Sequence, residues 1–507
     1  MSTESTQATA SLNFNSHNER IKAAHKQLLV DTKSNEIDWQ KEMQEGFDTT
    51  HGATFDKPVL DFFSVLEDTL NSDDPNKAPN GWEQVEDNEK KQKFGHDVRI
   101  WGSQGGDDIA ALNDAYIAAR EGNDTIHAQN NAQIHAGDGD DTVSTYNDAR
   151  IMGGNGHDTI STYSNAVVDG GAGDDRIDTY DNARVRGGQG NDTISTYGDS
   201  SVWGGRGDDN ISAYNNSKLS GGYGNDRLRA YDNAQMDGGY GDDYLSAYDN
   251  MQATGGKGND TIRGYDNAKI QGNSGDDIIT AYDNARIEAG EGNDTIRAYD
   301  NAVIDAGSGD DTVDAYDNAT IKGGEGSDYV LARGVNNRID GGAGDDVLSA
   351  GENNEMFGGE GNDYISTGKN SLVDGGSGND VIHSGRNSVV SGGAGDDFVH
   401  VGGNSAILFS RGDGKDTMSG IGSVNATGDL ENSTIVFGPD ISTDDISVSF
   451  DGDTMVISIN DTDDSITIPD MGERQSLWKP DQTAPNLQFT DGTTWTSAQV
   501  LAKGKVD

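Results

Sequence analysis

No cysteine occurs in the 507 residues, so no disulfide staples the chain. Apolar residues are scarce too, at 32%, which excludes the large hydrophobic core of an ordinary globular protein of this length. Basic residues are few: 36 Lys and Arg stand against 88 Asp and Glu, for a formal net charge of −52. That balance argues against nucleic acid, whose binders are basic, and points to cations as partners. No apolar run of about 18 residues is present, so no membrane span is expected. The N-terminus, MSTESTQATASLNFNSHNERIK, lacks the charged-then-apolar order of a secretory signal peptide. Low apolar content with high charge ordinarily leaves a chain disordered. A strict repeat is the other way for such a chain to fold.

The repeat is there. Residues 221–237 read GGYGNDRLRAYDNAQMD, and 238–254 read GGYGDDYLSAYDNMQAT. Starts recur every 17 residues from Gly102 to Gly323, step once by 18 to Gly341, and resume at Gly358, Gly375 and Gly392, giving eighteen repeats. A looser one, RGDGKDTM, begins at Arg411. Self-similarity at this period is the signature of a stacked solenoid. Position 8 of the repeat is always Ile, Val or Leu, and position 16 is Ile, Val, Leu or Met except at Ala253. Two apolar points per repeat, separated by polar turns, predict two short strands per coil, each turning a side chain inward. One coil cannot bury such a face; stacked coils share a thin continuous core and parallel ladders.

Position 4 is Gly and position 6 is Asp in all eighteen repeats; position 5 is Asp or Asn in most. The position 6 residues are Asp107, Asp124, Asp141, Asp158, Asp175, Asp192, Asp209, Asp226, Asp243, Asp260, Asp277, Asp294, Asp311, Asp328, Asp346, Asp363, Asp380 and Asp397. Stacking sets these carboxylates in a row about 5 Å apart, a strongly repulsive arrangement unless something cationic lies among them. Carboxylates and backbone carbonyls are hard oxygen ligands, suited to calcium at six to eight coordination rather than zinc or copper. The competing reading is a metal-free β-helix with turn-forming Asp.

The first nine positions, as in GGAGDDRID at 170–178 and GGEGNDYIS at 358–366, resemble the RTX nonapeptide GGxGxDxUx, over roughly 102–418. That motif is a calcium-binding β-helix repeat. The resemblance implies multiple Ca²⁺ ions as cofactor, with the first six residues a calcium-binding turn and the last three a short strand. It also implies export by type I secretion machinery, with an uncleaved C-terminal signal. The pattern departs from a typical RTX roll: the nonapeptide stands on one side of each coil only, which predicts a single calcium rail. The opposite turn, mostly AYDNAxIx, is expected to close by Asp and Asn side chains bonding to backbone. After Gly323 it changes to forms such as GKNS and GRNS.

Residues 1–101 do not fit the repeat until HDVRIW at 96–101. NERIKAAHKQLLVDTKSNEIDWQKEM and KPVLDFFSVLEDTL have helical apolar spacing, and NSDDPNKAPNG reads as a loop. Residues 409–507 carry the alternating segments STIVFG, DISVSF, TMVISI and SITIP. With LQFTDGTTWTSAQVL they resemble the haemolysin-type calcium-binding-related domain that closes many RTX proteins. The expected fold is all-β: a right-handed parallel β-roll over 102–408, a small helical or partly disordered segment over 1–101, and a β-rich capping and secretion region over 409–507.

A row of Tyr at position 11, eleven in register from Tyr146 to Tyr316, reads as a stabilising ladder or as a flat aromatic track for a glycan. Arg150, Arg184, Arg186, Lys218, Lys269 and Arg286 lie nearby at positions 15 and 17 and suit acidic sugars or plain charge compensation. Neither HExxH nor Gly-x-Ser-x-Gly occurs, and no catalytic constellation is read. The reading is a secreted calcium-binding solenoid acting at a cell surface, in a matrix or as an adhesin, with a polysaccharide or cell surface as further partner. The alternatives are an exported toxin or enzyme active through 1–101, and a glycan-modifying enzyme working along the Tyr face.

Overall fold

The computed structural model describes residues 81–85, 91–420, 422–424, 430–469 and 484–506. Both helical segments expected near the N-terminus, and the loop after them, lie outside the described residues. The chain is a parallel β-solenoid of about 20 coils at a spacing of about 17 residues. Its described residues fall into two compact units, those up to Ala289 and those from Gly290 onward.

In the first unit the coil of Gly221 shows the pattern. One strand, Lys218–Tyr223, pairs in parallel with Gln235–Tyr240 one coil on, and the other, Arg227–Asp232, with Tyr244–Asp249. Register is one to one at 17 residues, so each side chain stacks on its counterpart: Leu219 on Met236, Leu228 on Leu245. Side chains alternate along a strand, so positions 8 and 10 of one strand and 14 and 16 of the other point inward together. Leu228, Ala230, Ala234 and Met236 are buried accordingly. The small residues at 10 and 14 flank the Tyr-bearing turn.

The nonapeptide divides differently from the expected six-residue turn. Its first three residues finish one strand, as in Gln235–Tyr240, and only positions 4 to 6 make the bend. The glycine pair lies in a strand despite its low β-propensity because, in coils such as that of Gly221, groups of the same and the adjoining rungs crowd the places its side chains would take. A Cβ on Gly222, where φ is +116°, would also be backbone-strained.

Stacking extends before the first full repeat: Glu83–Gln84 pairs with Arg99–Trp101, which pairs with the next coil. Trp82 meets Trp101 edge-on at 5.8 Å.

In the second unit the coils repeat the same register, as in Ile339 on Met356 and Leu348 on Ile365. Position 14 there changes from Ala to Asn and then Ser, and becomes a buried polar ladder. Asn354 Oδ1 accepts the Asn337 N–H at 2.8 Å, and Ser388 Oγ accepts the Ser371 N–H at 3.3 Å. After Phe409 the solenoid recruits partners from farther along the chain. Ala406–Phe409 pairs with Thr434–Phe437, which pairs with Asn486–Gln488. An antiparallel hairpin, Ile446–Asp451 with Thr454–Ile459, leads to Ser465–Ile468, which joins the Lys415–Ser419 rung. Phe437 stacks on Phe489 at 5.2 Å, and Trp495 packs edge-on against Phe489 at 5.2 Å. The helix Ser497–Lys503 follows. These pieces cover the last rungs, whose exposed edge would otherwise template another strand.

Candidate metal centre

The eighteen position 6 aspartates are all buried, between 1% and 6% exposed. Within each unit they form a ladder. The Asp209 N–H donates to Asp226 Oδ1 at 2.7 Å, and the Asp226 N–H donates to Asp243 Oδ1 at 2.7 Å. One carboxylate oxygen is thereby used. The other, Asp226 Oδ2, is buried without a hydrogen-bond partner, as are the Oδ2 atoms of Asp158, Asp243 and Asp363. Leaving a carboxylate oxygen so placed is costly.

Glycine makes the surroundings of that oxygen. A Cβ on Gly221 would run into Asp226 Oδ2 and would lie 2.6 Å from the carbonyl oxygen of Gly238, one rung on. A carboxylate oxygen and a backbone carbonyl oxygen thus converge on the space that the missing side chain leaves. Gly204, Gly238 and Gly358 repeat the arrangement with Asp209, Asp243 and Asp363. Four coils carry Ala at this position, Ala119, Ala136, Ala289 and Ala306, so a methyl takes part of that space there.

Burial pushes the Asp226 carboxyl up to about 8; the hydrogen bond from the Asp209 N–H opposes the shift, and the carboxylates of Asp209, Asp243 and Asp208 add to it. Asp209 reaches about 8 and Asp158 about 6 for the same leading reason. The donor set is entirely oxygen, and its charge is uncompensated by any neighbouring base in the case of Asp226. It fits a hard divalent cation. Among the described residues no three His, Cys, Asp or Glu side chains converge on one point. A cation on this rail therefore draws on side chains of successive rungs and on backbone carbonyls, not on a cage of carboxylates.

The ends of the rail differ from its middle. Asp107 has both oxygens engaged by Ser103, whose N–H donates to Oδ2 at 2.7 Å and whose hydroxyl bonds Oδ1 at 2.8 Å. At the other end the ladder runs one rung past the eighteenth repeat. The Asp397 N–H donates to Asp416 Oδ1 at 3.2 Å, and burial lifts the Asp416 carboxyl to about 8. Asp416 lies beyond the eighteen repeats; the Gly-Lys-Asp of RGDGKDTM, in register with Gly-x-Asp, is the signal that marks it.

Position 5 forms a second, exposed ladder that runs the opposite way. The Asn225 N–H donates to Asp208 Oδ1 and the Asp242 N–H to Asn225 Oδ1, both at 2.8 Å. Asn and Asp do this equally well, which is why the sequence interchanges them.

On the opposite turn Asn holds position 13 in the left-handed region, as at Asn233 (φ 45°) and Asn250 (φ 48°). Side chains tie the turn to the next coil: Asn250 Nδ2 donates to Asn233 Oδ1 at 3.0 Å, and at some coils the expected bonds to backbone are made as well, as where Asp300 Oδ1 accepts the Asp317 N–H at 3.3 Å. The Tyr row stacks face to face. From Tyr146 to Tyr282 successive ring centroids lie 4.5–5.4 Å apart, with interplanar angles of 2–16°. Each ring covers its neighbour's face, so the ladder presents edges and hydroxyls outward. A sugar that stacks on aromatic faces finds none along its interior, and the flat-track reading loses its geometry.

No curated protein matches the chain. The family model described as the RTX calcium-binding nonapeptide repeat matches it repeatedly between residues 162 and 405. The coils matched, within 162–216, 252–313 and 322–405, are RTX calcium-binding nonapeptide repeats.

Proposed function

We propose that the protein is exported and folds when extracellular calcium fills the position 6 rail, and that the folded solenoid serves outside the cell as a surface, matrix or adhesive component. One observation carries the calcium reading. Asn would make the same Oδ1 ladder bond as Asp, and position 5 uses both, yet position 6 is Asp in all eighteen repeats. What Asn lacks is the second oxygen, and that is the oxygen the fold buries without a partner beside a glycine carbonyl. The residues from Asp124 to Asp397 would hold the ions, together with carbonyls of the glycine strand. Bound calcium supplies the positive charge that lets the row stay ionised inside the coil.

Low calcium inside a cell would keep the chain unfolded for passage through a type I exporter, and external calcium would fold it afterwards. Polysaccharide is the partner chemistry that suits an adhesive solenoid. Circular dichroism at pH 8, in chelator and then in millimolar calcium, tests the folding step: at that pH the β signal is expected only with calcium. A signal unchanged between the two conditions would sink the proposal.

A further inference from the structure

Position 3 of the repeat lies at the end of the strand that leads into the carboxylate bend. In fourteen of the eighteen repeats it is Gln, Glu, Asp, Asn, Ala or Ser. In the other four, which are successive, it is Arg206, Tyr223, Tyr240 and Lys257. All four side chains are exposed and stand on consecutive rungs in register. Tyr223 and Tyr240 stack at 4.8 Å, and the Lys257 ammonium lies 4.9 Å from the Tyr240 ring centre. Farther back on the same strands the Arg186 guanidinium covers the Trp203 ring at 4.6 Å, and Lys218 follows one rung beyond Ser201. Asp169 offsets part of this charge through its ion pair with Arg186 at 3.7 Å. In a chain of net charge −52 this row of cations and rings at position 3 is confined to four rungs, with Asp208 and Asp242 of the exposed position 5 ladder beside it.

We infer that this face binds an anionic polysaccharide carrying uronate carboxylates. Arg206 and Lys257 are three rungs apart, about 14 Å at the strand spacing, with the two tyrosines between them. An extended chain of sugar acids can lay carboxylates on both cations at once while its hydroxyls meet the Tyr hydroxyls. The site is an open strip along the stacking direction, which suits a linear polymer better than a small molecule seeking a concave pocket. Duplex nucleic acid is the less fitting polyanion. It carries a charge about every 1.7 Å and would meet acidic surface on either side of a four-rung strip. The inference rests on the extracellular reading for its ligand, and on the register of four rungs for its place.

The test uses the full chain in millimolar calcium at physiological salt, with its β signal checked. Hyaluronan is the probe, because it bears uronates without gelling in calcium; dextran and duplex DNA are comparators. Replacing Arg206→Ser and Lys257→Ser together should weaken hyaluronan binding by about ten-fold or more, the loss expected for charge-assisted hydrogen bonds. Arg229→Ser with Arg263→Ser removes the same charge from the other strand's outer face and should change affinity by less than about two-fold. Equal losses in the two double variants would reduce the effect to net charge and overturn the site. So would duplex DNA binding as tightly as hyaluronan. A wild-type chain with full β signal and no hyaluronan binding also overturns it, while leaving calcium-driven folding intact. Failure of the β signal itself strikes the calcium reading instead.

Discussion

At the scale of the residue, the account turns on one oxygen. Asp226→Asn keeps Oδ1, and with it the bond from the Asp209 N–H, but replaces the unpartnered Oδ2 with an amide nitrogen. If the ladder alone mattered, the change would be mild. If the oxygen is a calcium ligand, affinity at the neighbouring sites should drop by at least about ten-fold, since ligand charge sets calcium affinity. Isothermal titration separates the two; an unaltered titration would return Asp226 to a purely structural role. Asp232→Asn, on the exposed opposite turn, should leave the titration as it was. Neighbouring glycines differ in the same graded way. Gly222→Ala meets a positive φ and the backbone of Gly205, and should destabilise the chain more than Gly221→Ala, whose methyl other coils already accommodate. Thermal melts in saturating calcium rank the pair, and the reverse order would contradict the cradle described here.

At the scale of the element, the coil joins two turns of different chemistry. The aromatic ladder stiffens the one opposite the rail. Changing Tyr214, Tyr231 and Tyr248 together to Ser removes four stacked contacts, among them Tyr214–Tyr231 at 4.5 Å. Each contributes about 0.5–1.5 kcal/mol beyond burial, so the melting midpoint should fall by several degrees in saturating calcium. An unchanged midpoint with lost retention on cells would move function to the Tyr edge. The inward pattern of these elements was legible in the sequence, because Leu228 and Met236 recur with the period of the coil. The strand limits were not: Gly221 and Gly222 read as turn by propensity, and only the Asp226 carboxylate and the next backbone explain why glycine stands in a strand. The Asn ladder was half legible. Asn233 and Asn250 announced a turn, but their partners lie one coil away, and a single repeat contains no trace of that. The carboxylate row was fully legible as a row, whereas its two hydrogen-bond directions depend on which rung each N–H faces.

At the scale of the whole molecule, charge and pH decide what folds. Without metal, burial raises rail carboxyls such as Asp158 to about 6 and Asp226 to about 8, above their value of 3.8 in a solvated chain. A group raised on folding favours the folded state at acid pH and loses that contribution as pH climbs through its folded value. The calcium-free protein should therefore keep more β signal at pH 5 than at pH 8. With calcium the order should invert, because protons compete with the metal for the same oxygens. Melting at the two pH values, with and without chelator, checks both signs. A calcium-free chain more stable at pH 8 would contradict the buried rail.

The central claim is that the rail is a row of metal sites, and counting ions on it is the most direct measurement. One ion in each gap between the seventeen rungs from Asp124 to Asp397 would bring about 16 calcium ions, and roughly +32 charges against −52. Flow dialysis of the folded chain should find on the order of that many bound ions. Asp209→Asn, Asp226→Asn and Asp243→Asn together should remove those of the adjoining gaps while the remaining coils stay loaded. A folded wild-type chain that binds one or two ions, or a triple variant that binds as many as the wild type, would show that the aspartate row holds the coils together without metal.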